Sequence, residues 1–437
     1  MTTPVLTRRL VVVLVVGAGL VALVAGPRGL GFGVVAGTIA LGAVIDGLLA
    51  LSPSAIDVRR GLPAGAVLGE AVQARWVITN RADRRTDVRV ADSFAPSLAA
   101  ATRRCSVHLP AWATATVDIT LNPGRRGRFV LDEVVIRTVG PLGLVGRQRA
   151  RTTVDVLRVY PRFPSRADAE LRLRRAQVAE VGLRTARGRG GGTEFDQLRD
   201  YTPDDEYRKL DWAATARAAR PIVRDYRAEQ NQTVINLLDN GRLMAGTVSG
   251  VPRVEHAMDA VMALTTVASG MGDKCGLLTF DQQVRSVVAA ARGRHQLGLV
   301  NEAMYELEPV LAESDYRTAF TTALVRFRRR ALLVIHTELA SHSVEESLIP
   351  ALPLLLRTHV VIVAAVTDPE VSGWATETVD EWPDVYRQAA AIGSLEDRRR
   401  AATRLRALGA RVVDAGPDRL AVTLIDTYLG IKATGVL

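Results

Sequence analysis

The reading of the chain is decided by residues 188–229, GRGGGTEFDQLRDYTPDDEYRKLDWAATARAARPIVRDYRAE. Glycines give way to alternating acids and arginines and then to Asp211-Trp212, with no clean helical or strand period. Connectors between elements are usually short and polar. This one is long and sets Tyr201, Trp212 and Tyr226 among charges, which predicts a segment packed on something. Upstream of it the chain reads as membrane and β-sheet; downstream, strands and helices alternate.

Working toward the N-terminus, residues 54–160 follow a period of two. Val72, Ala74, Trp76 and Ile78 share one face, and Ala115, Val117, Ile119 and Leu121 alternate with polar residues. Turn signals at Asn80 and at Asn122-Pro-Gly separate such runs, so an all-β immunoglobulin-like sandwich of about seven strands is expected. Residues 1–53 hold two apolar runs, Leu10 to Ala25 and Leu30 to Leu51, joined by a Gly-Pro-Arg-Gly turn. The second is long enough to span a bilayer and the first is near the lower limit. Arg8 and Arg9 before the first run also fit a signal peptide, but no A-x-A site follows. A transmembrane helical hairpin is the reading taken. Arginines at 8, 9, 59 and 60 against Arg28 alone in the turn place both ends, and all soluble parts, in the cytoplasm by the positive-inside rule. Asp46 in the second run is expected at the interface or at the helix–helix contact.

Toward the C-terminus, residues 161–231 form a connecting segment and residues 232–437 an α/β domain. Val234 to Leu238, GLLTF, ALLVIHT, HVVIVAAV and RVVDAG are short buried runs alternating with amphipathic stretches. That alternation predicts a doubly wound, mostly parallel sheet, whose ligands bind at the carboxyl ends of the strands.

The chain carries 56 Lys and Arg against 46 Asp and Glu, a formal charge of +10, yet only Lys209, Lys274 and Lys432 are lysines. Arginines scattered among acids read as a mixed solvated surface rather than a nucleic-acid face. Cys105 and Cys275 fall in different domains, so neither a disulfide framework nor a zinc site is legible. GRGGG at 188–192 lacks the spacing and the Lys-Ser/Thr of a phosphate loop. The six histidines are dispersed and no G-x-S-x-G occurs, so no nucleophilic triad is expected. What remains are acids at strand ends: Asp239 after the first α/β strand, Glu338 after a later one, and the hydroxyl of Ser314 between them. These are oxygen ligands of the kind magnesium prefers, and also ordinary helix caps.

RDYTPDDEYRKLDW, ATARAARPIVRDY and LLDNGRLM, with ESDY at 313–316 and FRRRALLVIHTE, resemble the bacterial family called domain of unknown function 58. The resemblance implies a von Willebrand factor A-like C-terminal domain. It also implies association with MoxR-type AAA+ ATPases and transglutaminase-like membrane proteins. In von Willebrand A domains an Asp-x-Ser-x-Ser element, a threonine and an aspartate hold magnesium. This chain has Asp239, Gly241 and Leu243 in the first element, with Ser314 aligned to the threonine and Glu338 to the aspartate. The loss of both serines argues against a metal, and no cofactor is expected.

The expectation is therefore a membrane-anchored adaptor, not an enzyme, that binds partner proteins through Asp239, Gly241, Arg242, Ser314 and Glu338 and works with a MoxR-type ATPase. A metal-dependent hydrolase using Asp239, Ser314 and Glu338 is the alternative. The central stretch is read as structural: Arg199, Asp205, Asp211, Arg217, Arg224 and Glu229 as an ion-pair lattice, with Tyr201, Trp212 and Tyr226 packed between and Arg217 paired to Asp211. Its task would be to lock the sandwich to the α/β domain.

Overall fold

The computed structural model describes residues 2–24, 29–186, 194–203, 205–227, 232–378 and 382–435. The chain divides into two compact units, Met1–Tyr160 and Pro161–Leu437.

The first unit begins with a short strand, β1 (Thr3–Leu6), followed by helices α1 (Arg8–Val24) and α2 (Gly29–Leu49). The strands β2 (Ile56–Gly61), β3 (Ala66–Val67), β4 (Val72–Asn80), β5 (Thr86–Asp92), β6 (Arg104–Leu109), β7 (Thr114–Leu121), β8 (Gly127–Val139) and β9 (Val145–Tyr160) come next. One sheet runs β1-β9-β8-β5-β6 with β3 on β9, and the other runs β2-β4-β7. Their inner faces carry the alternating apolar residues read from the sequence: Ala74, Trp76 and Ile78 on β4 and Ile119 and Leu121 on β7 are buried against Val88, Val90, Leu131 and Leu157. The pleat sends every second side chain inward, so a run of period two can bury only one face.

Two features of this unit were not legible. Arg60, read as a cytoplasmic charge flanking the membrane, is buried. It pairs with Asp92 at 2.8 Å and Asp155 at 2.9 Å, and donates to the carbonyls of Leu131 and Glu133. Asp92 also accepts the indole N–H of buried Trp76 at 2.7 Å. A buried arginine is tolerable because its donors are used and its charge is matched. The second feature is Asp46. It is fully buried and accepts backbone N–H bonds from Leu142, Leu144 and Val145 at 2.6, 2.7 and 2.8 Å. The acid grips the β8–β9 turn rather than making the expected helix–helix contact. At Gly140, beside that grip, a Cβ would collide with the Asp46 carboxylate. Thr7, just before α1, donates to the carbonyl of Gly143 in the same turn at 2.5 Å. The start of α1 and the end of α2 thus meet at one turn.

The two helices pack against each other, with Gly17 leaving room for Ile39. Among the described residues one stretch, Gly33–Ala55, is long and apolar enough to cross a membrane, with a mean hydropathy of 2.1. At 17 residues α1 is roughly 26 Å long, short of a bilayer core of about 30 Å.

The second unit opens with α3 (Arg166–Ala186), which packs on the α/β core through Ala169 and Leu173. The paired strands β10 (Glu194–Asp200) and β11 (Ile222–Arg227) follow, with α4 (Trp212–Ala218) between them. Then come β12 (Thr233–Asp239), the small pair β13 (Thr247–Val248) and β14 (Val251–Pro252), α5 (Arg253–Gly270), β15 (Lys274–Phe280), β16 (Val284–Ala291), α6 (His295–Met304) and α7 (Tyr316–Arg326). The chain closes with β17 (Leu332–His336), α8 (Ser341–Ser343), α9 (Ile349–Leu356), β18 (Val360–Val366), α10 (Pro369–Trp374), α11 (Trp382–Ala407), β19 (Arg411–Ala415) and α12 (Pro417–Thr434).

The main sheet has the order β16-β15-β12-β17-β18-β19, parallel except for the antiparallel edge strand β16. Helices α7, α9 and α11 cover one face, and α5, α12 and α3 the other. Strands buried on both faces read as continuous apolar runs, which is why β12, β17 and β18 were visible without alternation. The edge strand β16 is buried on one face only and alternates.

Candidate functional site

Strand β12 is central, and the order of connection reverses between it and β17, so the carboxyl end of β12 lies at a topological switch point. Asp239 ends that strand there and is 1% exposed. Its Oδ1 accepts the backbone N–H of Gly241 at 2.8 Å and the hydroxyl of Ser314 at 2.5 Å. Its Oδ2 accepts Tyr316 at 2.9 Å and Thr337 at 2.6 Å, and these two hydroxyls are themselves 2.8 Å apart. Burial pushes the Asp239 carboxyl above the usual carboxylate range, against the pull of those donors. Burial and the neighbouring carboxylate push the Tyr316 phenol well above its ordinary value.

The glycine at 241 has a steric reason: a Cβ there would run into the Ser314 hydroxyl. Ser314 occupies the room that a side chain at 241 would take, which links two positions that the sequence could treat only separately. Asp315, not Ser314, caps α7, accepting the N–H of Thr318 at 3.0 Å.

The structure does not bring Glu338 to this carboxylate. Glu338 lies two residues past the end of β17 and is held in a charge network of its own. It pairs with the guanidinium of Arg398, which also binds Asp414 at 2.7 Å, and lies 3.0 Å from Nε of Arg253. That last contact is close but poorly aligned, since neither atom makes a hydrogen bond, so it is an ion pair. Burial works to lower the Arg398 pKa, and Glu338 with Asp414 more than offsets it. Its side chain is spent inside the protein, so the expected surface role of Glu338 is corrected. Thr337, one residue earlier, is the group that reaches Asp239. Successive residues leaving a strand point opposite ways, so a shift of one position changes the neighbour.

Arg242 is exposed and pairs with exposed Glu313. In the loop of Glu313, Leu311 is 80% exposed, Arg317 at the start of α7 is exposed, and the N–H of Arg242 bonds the carbonyl of Ala312 at 2.9 Å, which ties this loop to the end of β12. Leu311, Tyr316 and Thr337 were not singled out from sequence. Tyr316 and Thr337 lay inside quoted segments, but only the fold shows that they converge. Beneath the site, buried His336 bonds Asn236 at 2.9 Å, and burial brings its pKa down to about 3.

The charged stretch between β10 and β11 holds part of the expected lattice. Arg199 binds Asp205 and holds its carboxyl well below the usual range. Asp211 caps α4 through the N–H of Ala214 at 3.0 Å and binds Arg224 at 2.8 Å. Arg217 does not pair with Asp211; its Nε donates to the carbonyl of Ala213 in its own helix at 3.1 Å. The cap turns the Asp211 carboxylate toward the helix start, whereas Arg217 sits in the last turn. Tyr201 stacks on Tyr207, ring centroids 5.8 Å apart, but Trp212 is 69% exposed and not packed between charges. Glu229, the glycines 188–192 and the side chain of Tyr226 lie outside the described part of the structure.

Together these features define a β-sandwich protein with a doubly wound α/β domain that buries a hydrogen-bonded carboxylate at its switch point. Residues 197–372 match the sequence profile of the family described as "Protein of unknown function DUF58". It is 29% identical over 148 residues to the uncharacterized proteins Rv1480 of Mycobacterium tuberculosis and Mb1516 of Mycobacterium bovis, covering 33% of this chain. The match spans 47% of the length of those relatives. Among solved structures, the conserved hypothetical protein BatB from Bacteroides thetaiotaomicron is similar at 15% identity and a TM-score of 0.31, over 46% of this chain and 99% of that one. The CARDB domain of PF1109 from Pyrococcus furiosus is similar at 12% identity and a TM-score of 0.17, over 24% of this chain and 94% of that one. TM-scores this low assign neither fold nor function.

Proposed function

We propose that the chain is a membrane-anchored scaffold, not an enzyme, whose von Willebrand A-like α/β domain presents the strand-end rim to a partner protein. The observation that carries this reading is the state of Asp239: both oxygens already accept two hydrogen bonds, while Arg242, Leu311, Glu313 and Arg317, on the segments that meet at it, are exposed. A catalytic or metal-binding acid needs valence to spare. Magnesium demands near-ideal octahedral oxygen coordination. This donor set does not fit that need, because Glu338 is tied to Arg398 and Asp239 is left as a lone carboxylate whose two oxygens are already taken by protein donors. No group of three or more His, Cys, Asp or Glu side chains suited to a metal occurs among the described residues.

A rim of opposite charges around one apolar residue suits a protein partner, since an apolar anchor inside a polar rim is the usual plan of an interface. The partner proposed is a MoxR-type AAA+ ATPase, with a transglutaminase-like membrane protein in the same assembly, as the family resemblance implies. α1 and α2 would insert in the plasma membrane as a hairpin and leave both soluble units in the cytoplasm. The hydropathy of Gly33–Ala55 supports insertion of α2.

Capture of the purified ATPase by the full chain in detergent, with and without ATP, tests the reading. Leu311→Asp and Arg242→Glu should each weaken capture at least tenfold without changing the melting temperature. Equal capture by these variants, or none by the wild type in any nucleotide state, would overturn it.

A further inference from the structure

Four arginines and one acid line a cavity of about 340 Å³ in the sandwich, at the point where the chain leaves α2. Its walls are Pro53, Ser54, Arg59, Arg81, Arg149 and Arg151 around Asp57, with Ile56 and Ile136 also lining it. Asp57 accepts Arg81 at 2.6 Å and Arg151 at 2.7 Å, with Arg59 at 3.3 Å, while Arg149 donates to Ser54 at 2.7 Å. The bond from Arg151, with Arg81 adding to it, holds the Asp57 carboxyl below its usual range against the effect of burial. Four guanidinium groups thus face one carboxylate, and the cavity keeps three uncompensated positive charges.

Water screens these half-exposed guanidiniums, so their crowding is tolerated, and an anion seated among them would gain from all of them at once. Each guanidinium has five N–H donors, and the bonds inside the cavity use only one per residue. The carboxylate holds three of them by one N–H each, which leaves donors on each planar guanidinium to match the paired oxygens of a phosphate. Ligand clefts begin at about 300 Å³, so a phosphodiester headgroup fits.

Position names the source of that phosphate. Pro53 lies four residues beyond Leu49, the last residue of α2. Arg149 lies on β9 four residues, or roughly 13 Å, from Val145, whose N–H is held by Asp46 of the same helix. Arg8 and Arg9 open α1, whose start is tied by Thr7 to the same turn. Pro53 and Ser54, which line the cavity, follow α2 closely, so the polar interface layer of about 5–7 Å beyond the hydrocarbon would meet the cavity at that edge.

We propose that this cavity binds the phosphodiester headgroup of an anionic phospholipid in the leaflet that α2 leaves, fixing the sandwich against the bilayer. The proposal rests on the membrane reading given above. Basic clusters next to a membrane helix act in this way, each arginine contributing about fivefold in affinity.

The test uses the full chain in a non-ionic detergent, equilibrated with either phosphatidylglycerol or phosphatidylcholine, with bound lipid counted by native mass spectrometry. Phosphatidylglycerol should bind in preference. The double variant Arg59→Gln/Arg149→Gln should weaken it about 25-fold, because it removes two charges while Arg81 and Arg151 still hold Asp57. Arg128→Gln, at the far end of β8, should change nothing. Equal binding of the two lipids, or a double variant that binds as wild type at an unchanged melting temperature, overturns the proposal. Full saturation by millimolar inorganic phosphate with no added affinity for the lipid overturns the lipid as its source. Alkaline carbonate extraction of cell membranes is read in parallel. A chain released by carbonate sinks the membrane reading, whereas a retained chain without lipid preference sinks only this inference.

Discussion

Asp46 provides the most quantitative test of how the N-terminal helices are joined to the sandwich. Replacing it with alanine removes the acceptor for three backbone N–H groups. The N–H of Leu142 lies in an exposed part of the turn and regains a polar partner at once, whereas those of Leu144 and Val145 are less accessible. A buried donor left without a partner costs about 1–3 kcal/mol, so Asp46→Ala should destabilise the first unit by about 2–6 kcal/mol. Asp46→Asn should cost less, about 1–3 kcal/mol, because its one carbonyl oxygen can take the place of Oδ2 and leave the amide facing the Leu142 N–H. Gly140→Ala pushes a methyl group into both the Asp46 carboxylate and its backbone carbonyl, and since only the first clash vanishes in Asp46→Ala, the two changes combined should fall somewhat short of additivity. The assay is thermal melting of the full chain in detergent, with limited proteolysis at residues 140–145 as the local probe. An Asp46→Ala variant that melts within a degree of wild type, with no added cleavage in the turn, would refute the claim that this acid holds helix and sandwich together.

Other outcomes follow from the α/β domain. The folded-state pKa of Asp239 is raised, because burial disfavours its charged form more than its hydrogen-bond donors restore it. The stability it contributes is fully present below the ordinary carboxylate value near 4 and is lost as pH rises through the higher folded value. Wild type should therefore lose stability relative to Asp239→Asn as pH rises from 4, and a pH-independent difference in denaturant melts would contradict that. Arg398→Met leaves Glu338 and Asp414 facing each other without their shared cation, so a loss of about 3–5 kcal/mol is expected by equilibrium unfolding. Burial raises the Cys275 thiol to about 12, so in the native protein a thiol reagent should reach Cys105 well before Cys275. Equal rates for the two thiols would count against the buried position.

Much of the architecture was legible because burial leaves a periodic mark on a sequence. Strand β4 shows a period of two and the runs in β12, β17 and β18 are continuous, and each went to the side of a sheet that such a pattern requires. The first strand escaped notice: β1 is four largely exposed residues, held by pairing to β9 rather than by an apolar face of its own. Within the charged stretch, two ion pairs formed by acids and arginines close in sequence, Arg199–Asp205 and Asp211–Arg224, lie where residue types suggested. Trp212 did not follow its composition, because a large aromatic says nothing of whether anything lies over it.

The sequence by itself determined the order of the units, the period of their strands, the family region and Asp239 as the acid at the end of the first α/β strand. Tertiary structure alone decided what surrounds that acid. Ser314, Tyr316 and Thr337 are separated from it by 75 to 98 residues and meet it only through strand order and the register of β12 against β17. The same holds for Glu338, drawn away by Arg398, and for Asp46, which looked like a membrane acid until the β8–β9 turn closed on it. Local patterns record which face is buried, whereas the partner of a polar group is set by packing between elements distant in sequence.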